Sequence, residues 1–354
     1  MKTESCGAEK MNYGGERAKK ERNVRKRRRI IGVVAACAVA AFVIFSFFVP
    51  PATWKYYVAL PQVEKRAEGE CRVHFLSVGQ GDCTLVEFPD GKTMLIDGGD
   101  GAEEHTAYIL RYLNALGVKT LDYLVATHPD GDHTGGLDEV IKVKDVGEAY
   151  LPKITAATAT QFNEFTAAVA EKGCKTAFSR RGISLSRKEG DYPYEACFLS
   201  PLSPDTPGGE YQKANGKNAD DTAFNDCSAV IRLDYFGSSV LFCGDITAEK
   251  ESGILRDAQA GLIVCGGTTV SLADTEILKV AHHGSSGSSG EEFLQKIGVR
   301  DAVISVGANN RYSHPHTETC ARLRRVGAAI YRTDENGSIM ATLRPDGTYT
   351  IRYN

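Results

Sequence analysis

The stretch that most constrains this chain is Thr127-His128-Pro129-Asp130-Gly131-Asp132-His133-Thr134-Gly135-Gly136, which follows the apolar run Tyr123-Leu124-Val125-Ala126. Two imidazoles and two carboxylates fall between His128 and His133. A strand that ends in so dense a polar turn needs a counter-charge, because carboxylates packed together repel one another and lose hydration. A divalent cation is the usual one. The bland alternative is a solvated polar turn, and the motifs downstream weigh against it.

Charge divides the rest of the chain. Residues 1–29 carry eleven Lys/Arg and four Glu, a net of +7, which leaves −10 on residues 30–354. The basic segment ends in Arg25-Lys26-Arg27-Arg28-Arg29, shows no apolar periodicity, and is expected to be a disordered cytoplasmic tail. Ile30 to Val49 is twenty residues without a charge. At ~1.5 Å rise per residue that spans a ~30 Å hydrocarbon core. Pro50-Pro51 closes the run, and Trp54, Tyr56 and Tyr57 sit where an interfacial aromatic belt belongs. The reading is a transmembrane helix over 30–50, a linker over 51–70, and one domain over 71–354. The basic flank puts the N-terminus in the cytoplasm and the domain outside the cell. A cleaved signal peptide competes, against which the length of the apolar run argues. A domain this acidic does not bind nucleic acid through a broad basic face, so any polyanion has to be held locally.

Ten cysteines are present without a CxxC pair. Cys83, Cys227, Cys243 and Cys265 lie in or beside apolar runs and read as small core residues. A disulfide among Cys71, Cys174, Cys197 and Cys320 is compatible with an extracellular setting, but its pairing is open. None is assigned a catalytic role.

From Cys71 the pattern is strand, turn, strand, with Gly79-Gln80-Gly81-Asp82 and Pro89-Asp90-Gly91-Lys92 as turns. A helix is predicted from His105 to Leu116, another over 158–173 with Phe162, Phe165 and Val169 on one side, and a third near 317–326. The Pro/Gly/Asn/Asp-rich stretch 201–224 reads as a long loop without structure of its own, a lid or a disordered segment. Four apolar strands each end at a polar marker: Asp97, the His128–His133 cluster, Asp245, and His282-His283.

This ordered set resembles the metallo-β-lactamase-fold hydrolases, and within them the extracellular metallohydrolase domain of ComEC-type competence (DNA-uptake) proteins. The residues that carry it are His74–Asp82, Leu95–Gly99, the opening decapeptide, Phe242–Ile246, Leu278–Ser285 and Asn310–His316, over about residues 71–354. The resemblance implies an α/β, four-layer αβ/βα sandwich with two divalent metal ions, zinc or manganese. His128 and Asp130 would serve the first metal, Asp132 and His133 the second, and Asp245 would bridge. His283 would complete the second site, with His282 as its close competitor. The family's second imidazole is Asp130 here, and a further expected imidazole is replaced by Asn225, with Asp226 beside it. Oxygen in place of nitrogen makes that site harder and shifts preference from zinc toward manganese. Asp97 is expected beneath the metal loop, orienting a ligand.

The implied chemistry is attack by a metal-bound hydroxide on a phosphodiester, with Asp132 and His282 as catalytic residues. Ser285, Ser286, His314 and His316 are candidates to hold substrate. A nuclease acting on DNA is the specific form, anchored to the membrane by the N-terminal helix. The alternatives are a phosphoesterase acting on phosphocholine or teichoic-acid esters of the cell envelope, and a metal-stabilised binding domain without turnover.

Overall fold

Alternation at period two builds fourteen long strands and one short hairpin of two more among the described residues, which are 8–48, 63–155 and 159–353 of a computed structural model. They are β1 (Cys71–Phe75), β2 (Thr84–Glu87), β3 (Thr93–Ile96), β4 (Thr120–Val125), β5 (Asp145–Leu151), β6 (Lys175–Phe178), β7 (Glu195–Ser200), β8 (Val230–Tyr235), β9 (Ser238–Phe242), β10 (Val264–Cys265), β11 (Thr268–Thr269), β12 (Ile277–Lys279), β13 (Asp301–Ile304), β14 (Ala329–Arg332), β15 (Ile339–Leu343) and β16 (Tyr349–Tyr353). One sheet runs β16-β15-β1-β2-β3-β4-β5-β6 and the other β14-β13-β12-β9-β8-β7. Within the first, β15-β1-β2-β3 pair antiparallel and β3-β4-β5-β6 parallel.

Burial explains the layering. Val73, Phe75, Val86, Met94, Phe198, Ile231, Val240 and Phe242 form the core between the sheets. Alternate residues of the first sheet, such as Leu85, Leu95 and Leu124, pack outward on the helices Glu103–Ala115, Leu137–Val143 and Thr160–Lys172. Leu241, Leu278 and Ile304 of the second sheet do the same against Ala248–Gln259, Glu291–Ile297 and Thr317–Arg325. The result is the expected four-layer sandwich, because each sheet is apolar on both faces and must be covered on both.

Separately, residues Ala8–Phe48 form a continuous helix. It includes the one stretch among the described residues, Ala18–Ser46, long and apolar enough to cross a membrane. Disorder over 1–29 was the expectation, whereas the helix runs on through the basic residues. Lys, Arg and Glu are good helix formers, and extending an existing helix carries no nucleation cost. Residues 1–7 and the aromatic belt at 54–57 lie outside the described residues.

One further expectation changes and one is extended. The stretch 201–224 is packed, not open. Helices Glu210–Ala214 and Asp221–Asn225 bury Tyr211, Ala214 and Phe224 in the outer core, and the Tyr211 hydroxyl donates to Ser179 O at 2.7 Å. Elements this short carry no readable period. Cys265 is buried in the core as expected, and in addition it is disulfide-bonded to Cys197, linking β7 to β10 across 68 positions.

Glu251, on the helix Ala248–Gln259, is fully buried and accepts the N–H groups of Ser289 at 2.7 Å and Gly290 at 2.8 Å. Burial pushes its carboxyl up from the usual 4.5 to about 7, against the opposing pull of those N–H groups and Arg322. A raised pKa means that the native state binds the proton more tightly than the unfolded chain. The stabilisation is therefore complete below about pH 4.5 and is lost as pH rises through 7. It amounts to about 3 kcal/mol. Urea denaturation is expected to show that decline, and Glu251→Gln to flatten it.

Candidate metal centre

The parallel β3–β4 pair sets Asp97 beside the turn that follows β4. Thr127 donates to it through N and Oγ1, each at 2.8 Å, and His133 Nδ1 lies 2.8 Å from Asp97 Oδ2. The expected orienting role of Asp97 therefore has a geometry: it fixes the His133 ring so that Nε2 faces away, toward the second sheet. The turn also rests on the motif after β1. Asp82 N donates to Asp132 O at 3.1 Å. A Cβ on Gly81 would sit 2.4 Å from that same carbonyl oxygen, so only glycine lets the two backbones approach.

The second sheet supplies the rest. β9 leads through Gly244 to Asp245, and β12 leads to His282 and His283. His133 Nε2 lies 3.3 Å from Asp245 Oδ1. His283 Nε2 lies 3.4 Å from both Asp245 Oδ2 and Asp132 Oδ2, while His283 Nδ1 is tied to Ser305 O at 3.0 Å. His282 Nε2 stands farther off, 3.8 Å from Asp245 Oδ2. His128 Nε2 lies 3.6 Å from Asp130 Oδ2. Asp97, His282 and His283 all hold left-handed backbone, at φ of 61°, 50° and 52°. That is strained for non-glycine residues, and such strain concentrates at functional sites.

The donor atoms form compact groups. His128, His133 and Asp245 make one, and Asp132, His133 and His283 another, each with all ligand atoms within 4.8 Å of one another. His133 belongs to both, and Asp245 of the first reaches His283 of the second at 3.4 Å. Buried atoms without a hydrogen-bond partner include His128 Nε2, His133 Nε2, His283 Nε2, Asp245 Oδ1 and Asn225 Oδ1. Buried polar atoms are almost always paired. Five orphans belonging to the predicted ligand residues fit a pair of divalent cations. Asp226 is not of this set, since its Oδ1 accepts the N–H and hydroxyl of Thr247 at 3.1 and 2.8 Å and so holds the residue that caps the helix Ala248–Gln259.

Two residues escaped the sequence reading. Asp82 was taken as part of a turn, yet it is buried, with Oδ1 3.4 Å from His283 Nδ1 and Oδ2 3.8 Å from His133 Nδ1. Lys279 is also buried; its ammonium pairs with Asp82 and stands 4.0 Å from Asp245 Oδ1. The signal was present, because a lysine inside the apolar run Ile277-Leu278-Lys279-Val280 is costly unless paired.

Electrostatics follow the geometry. Burial works against a charged His133, but Asp245 and Asp97 outweigh it and hold its pKa well above the ordinary value. His283 behaves likewise, pushed up to about 10 by Asp245, Asp132 and Asp82 against its burial. Protons and metal compete for these nitrogens. His282 and His314 go the other way, lowered by burial and by their histidine neighbours, His314 to about 4. The shift favours the neutral imidazole at both, the form that binds a metal.

The predicted substrate-holding residues divide. His314 leans on the site, its ring centroid 5.5 Å from that of His282. His316 is engaged in joining loops: Nδ1 accepts Ser286 N–H at 2.8 Å and Nε2 lies 3.2 Å from Tyr312 O. Ser285 and Ser286 lie on the loop pinned by Arg322, which donates to Ser286 O, Ser288 O and Ser289 O. Beside the centre opens a cleft of about 620 Å³, lined by Gln80, Asp130, Asp132, Asp221, Arg311 and Tyr312 among others.

Removing the orienting carboxylate isolates its effect. Asp97→Ala is expected to weaken metal binding about 10–100-fold, as loss of such a partner does elsewhere, measured by competition with a chromogenic chelator.

The model of the metallo-beta-lactamase superfamily matches residues 76–308. Among curated proteins the chain is similar to ComE operon protein 3 of Bacillus subtilis (strain 168), 29% identical over 301 residues covering 80% of this chain and 34% of that protein. It is similar to competence protein ComA of Neisseria gonorrhoeae, 30% identical over 285 residues, with the same two coverages. A third relative is recombination protein 2 of Haemophilus influenzae, 27% identical over 278 residues, covering 78% of this chain and 29% of that protein. The chain spans about a third of the length of these relatives. With its family model matched across most of the sandwich and its strand ends gathered as that fold requires, the chain belongs to the metallo-beta-lactamase superfamily.

Proposed function

We propose that the chain is a dinuclear metal-dependent phosphodiesterase, a nuclease anchored by its N-terminal helix with the sandwich outside the membrane. The observation that carries it is the set of orphaned, buried ligand atoms around His133 and Asp245, drawn from both sheets. His128 and Asp130, with Asn225 alongside, would hold one ion. Asp132, His133 and His283 would hold the other, and Asp245 would be shared. Two such ions supply a hydroxide nucleophile at neutral pH and a charge clamp for the phosphoryl oxygens. The chain's own residues then orient and exclude. Asp97 fixes the His133 ring, and Ser305 O fixes His283. The half-buried His282, 3.8 Å from Asp245 Oδ2, is placed to move a proton to or from the reacting oxygen. The relatives' names concern competence and recombination, which supports DNA as the phosphodiester.

The test is hydrolysis of bis-(p-nitrophenyl) phosphate by the full chain in detergent with Mn²⁺ or Zn²⁺. Activity is expected from the parent and not from Asp132→Ala. A parent that binds metal and turns nothing over would make this a binding domain instead. For the anchor, protease added to intact cells is expected to digest the sandwich, given the basic flank at 25–29.

A further inference from the structure

The loop between β13 and the helix Thr317–Arg325 is built more firmly than an exposed loop needs. The Asn310 side chain makes four hydrogen bonds within it. Nδ2 donates to Gly307 O at 2.9 Å and His314 O at 2.6 Å, while Oδ1 accepts Tyr312 N–H at 3.1 Å and His314 N–H at 3.0 Å. His316 Nε2 adds its contact with Tyr312 O. What this frame presents to solvent is Arg311 and Tyr312, the latter 45% exposed. The Arg311 guanidinium lies over the Tyr312 ring, 4.7 Å from its centroid, and donates to the Tyr312 hydroxyl at 2.5 Å. The Tyr312 ring is in turn stacked on His314, centroids 5.6 Å apart and planes 21° apart. His314 meets His282 and His283 at 5.5 and 6.2 Å. A ladder of flat groups therefore runs from the metal centre to the cleft wall, where both Arg311 and Tyr312 are lining residues.

Of the charged residues on that wall, Asp100, Asp130, Asp132 and Asp221 are acidic and Arg311 is basic. We propose that Arg311 and Tyr312 form a preorganised stacking platform at the cleft, taking a nucleobase of the phosphodiester substrate beside the scissile phosphate. This rests on the phosphodiesterase reading above and deepens it. A guanidinium plane backed by an aromatic ring accepts any base by its π-face, and its edge meets phosphate. The same geometry disfavours a quaternary ammonium such as choline. Such a head group would need the bare Tyr312 face, which the guanidinium covers.

The experiment uses the full chain in detergent with Mn²⁺. It compares a short oligothymidylate with an abasic oligomer of equal length that keeps every phosphate. The parent is expected to favour the base-bearing oligomer in kcat/KM by about 5–150-fold. Tyr312→Ala and Arg311→Lys are expected to bring that ratio close to one, while Tyr312→Trp keeps it. Arg311→Lys retains the charge and loses the plane, so a preserved ratio there would reduce Arg311 to a phosphate contact and overturn the platform. No preference in the parent would overturn it too. Turnover of bis-(p-nitrophenyl) phosphate reports separately on the enzymatic reading. If that turnover is absent, fluorescence anisotropy of the two labelled oligomers with Ca²⁺ gives the same ratio as a binding ratio. Equal binding of both to the parent then overturns the platform as well.

Discussion

Asp245→Asn is expected to lower phosphodiester turnover by about 10³-fold or more, equivalent to roughly 4 kcal/mol of transition-state stabilisation. It is also expected to drop bound metal below two ions per chain. Asp245 is buried and reaches three imidazoles: His133 at 3.3 Å, His283 at 3.4 Å and His282 at 3.8 Å. Burial alone would raise its pKa, yet His133 and His283 hold it well below the usual carboxylate range. An amide keeps the shape and cannot serve two cations. The paired measurements are the metal content of the dialysed protein and the rate with bis-(p-nitrophenyl) phosphate. Normal metal content together with a normal rate would remove Asp245 from the centre.

The second large effect concerns folding rather than chemistry. Lys279→Met is expected to destabilise the metal-free chain by about 3–5 kcal/mol, the usual result of breaking a buried ion pair from one side. Burial would raise the Asp82 carboxyl, but Lys279 together with His283 and His133 lowers it to about 2. Lys279 is itself raised, Asp82 and Asp245 outweighing its burial. Without the ammonium, Asp82 keeps only the imidazoles of His283 and His133 to offset its burial inside the sandwich. Combining Asp82→Asn with Lys279→Met is expected to restore much of the loss, because both members of the pair are then neutral. Urea unfolding in EDTA reads both variants, and equal stabilities for the single and double variants would show that the pair is not coupled.

The two predictions divide the centre into parts that were unequally legible. His128, Asp130, Asp132 and His133 are neighbours in sequence, so their proximity in space follows from one turn. Asp97, Asp245 and His283 each follow a readable apolar strand, and the ordered set of strand ends was enough to indicate the family and the sandwich. Local pattern reports which face of a strand is buried, and strand ends of one sheet share an edge.

Contacts between distant parts of the chain were decided by tertiary packing. Asp82 reads as a turn residue until β12 brings Lys279 against it. Cys265 reads as core, and its disulfide partner is set only where β10 meets β7. The 201–224 stretch reads as loop until Tyr211 and Phe224 find the outer core. In each case the deciding partner lies far along the chain. Composition and periodicity show that a group needs a partner, while only the packing of distant elements on one another determines which atom that partner is.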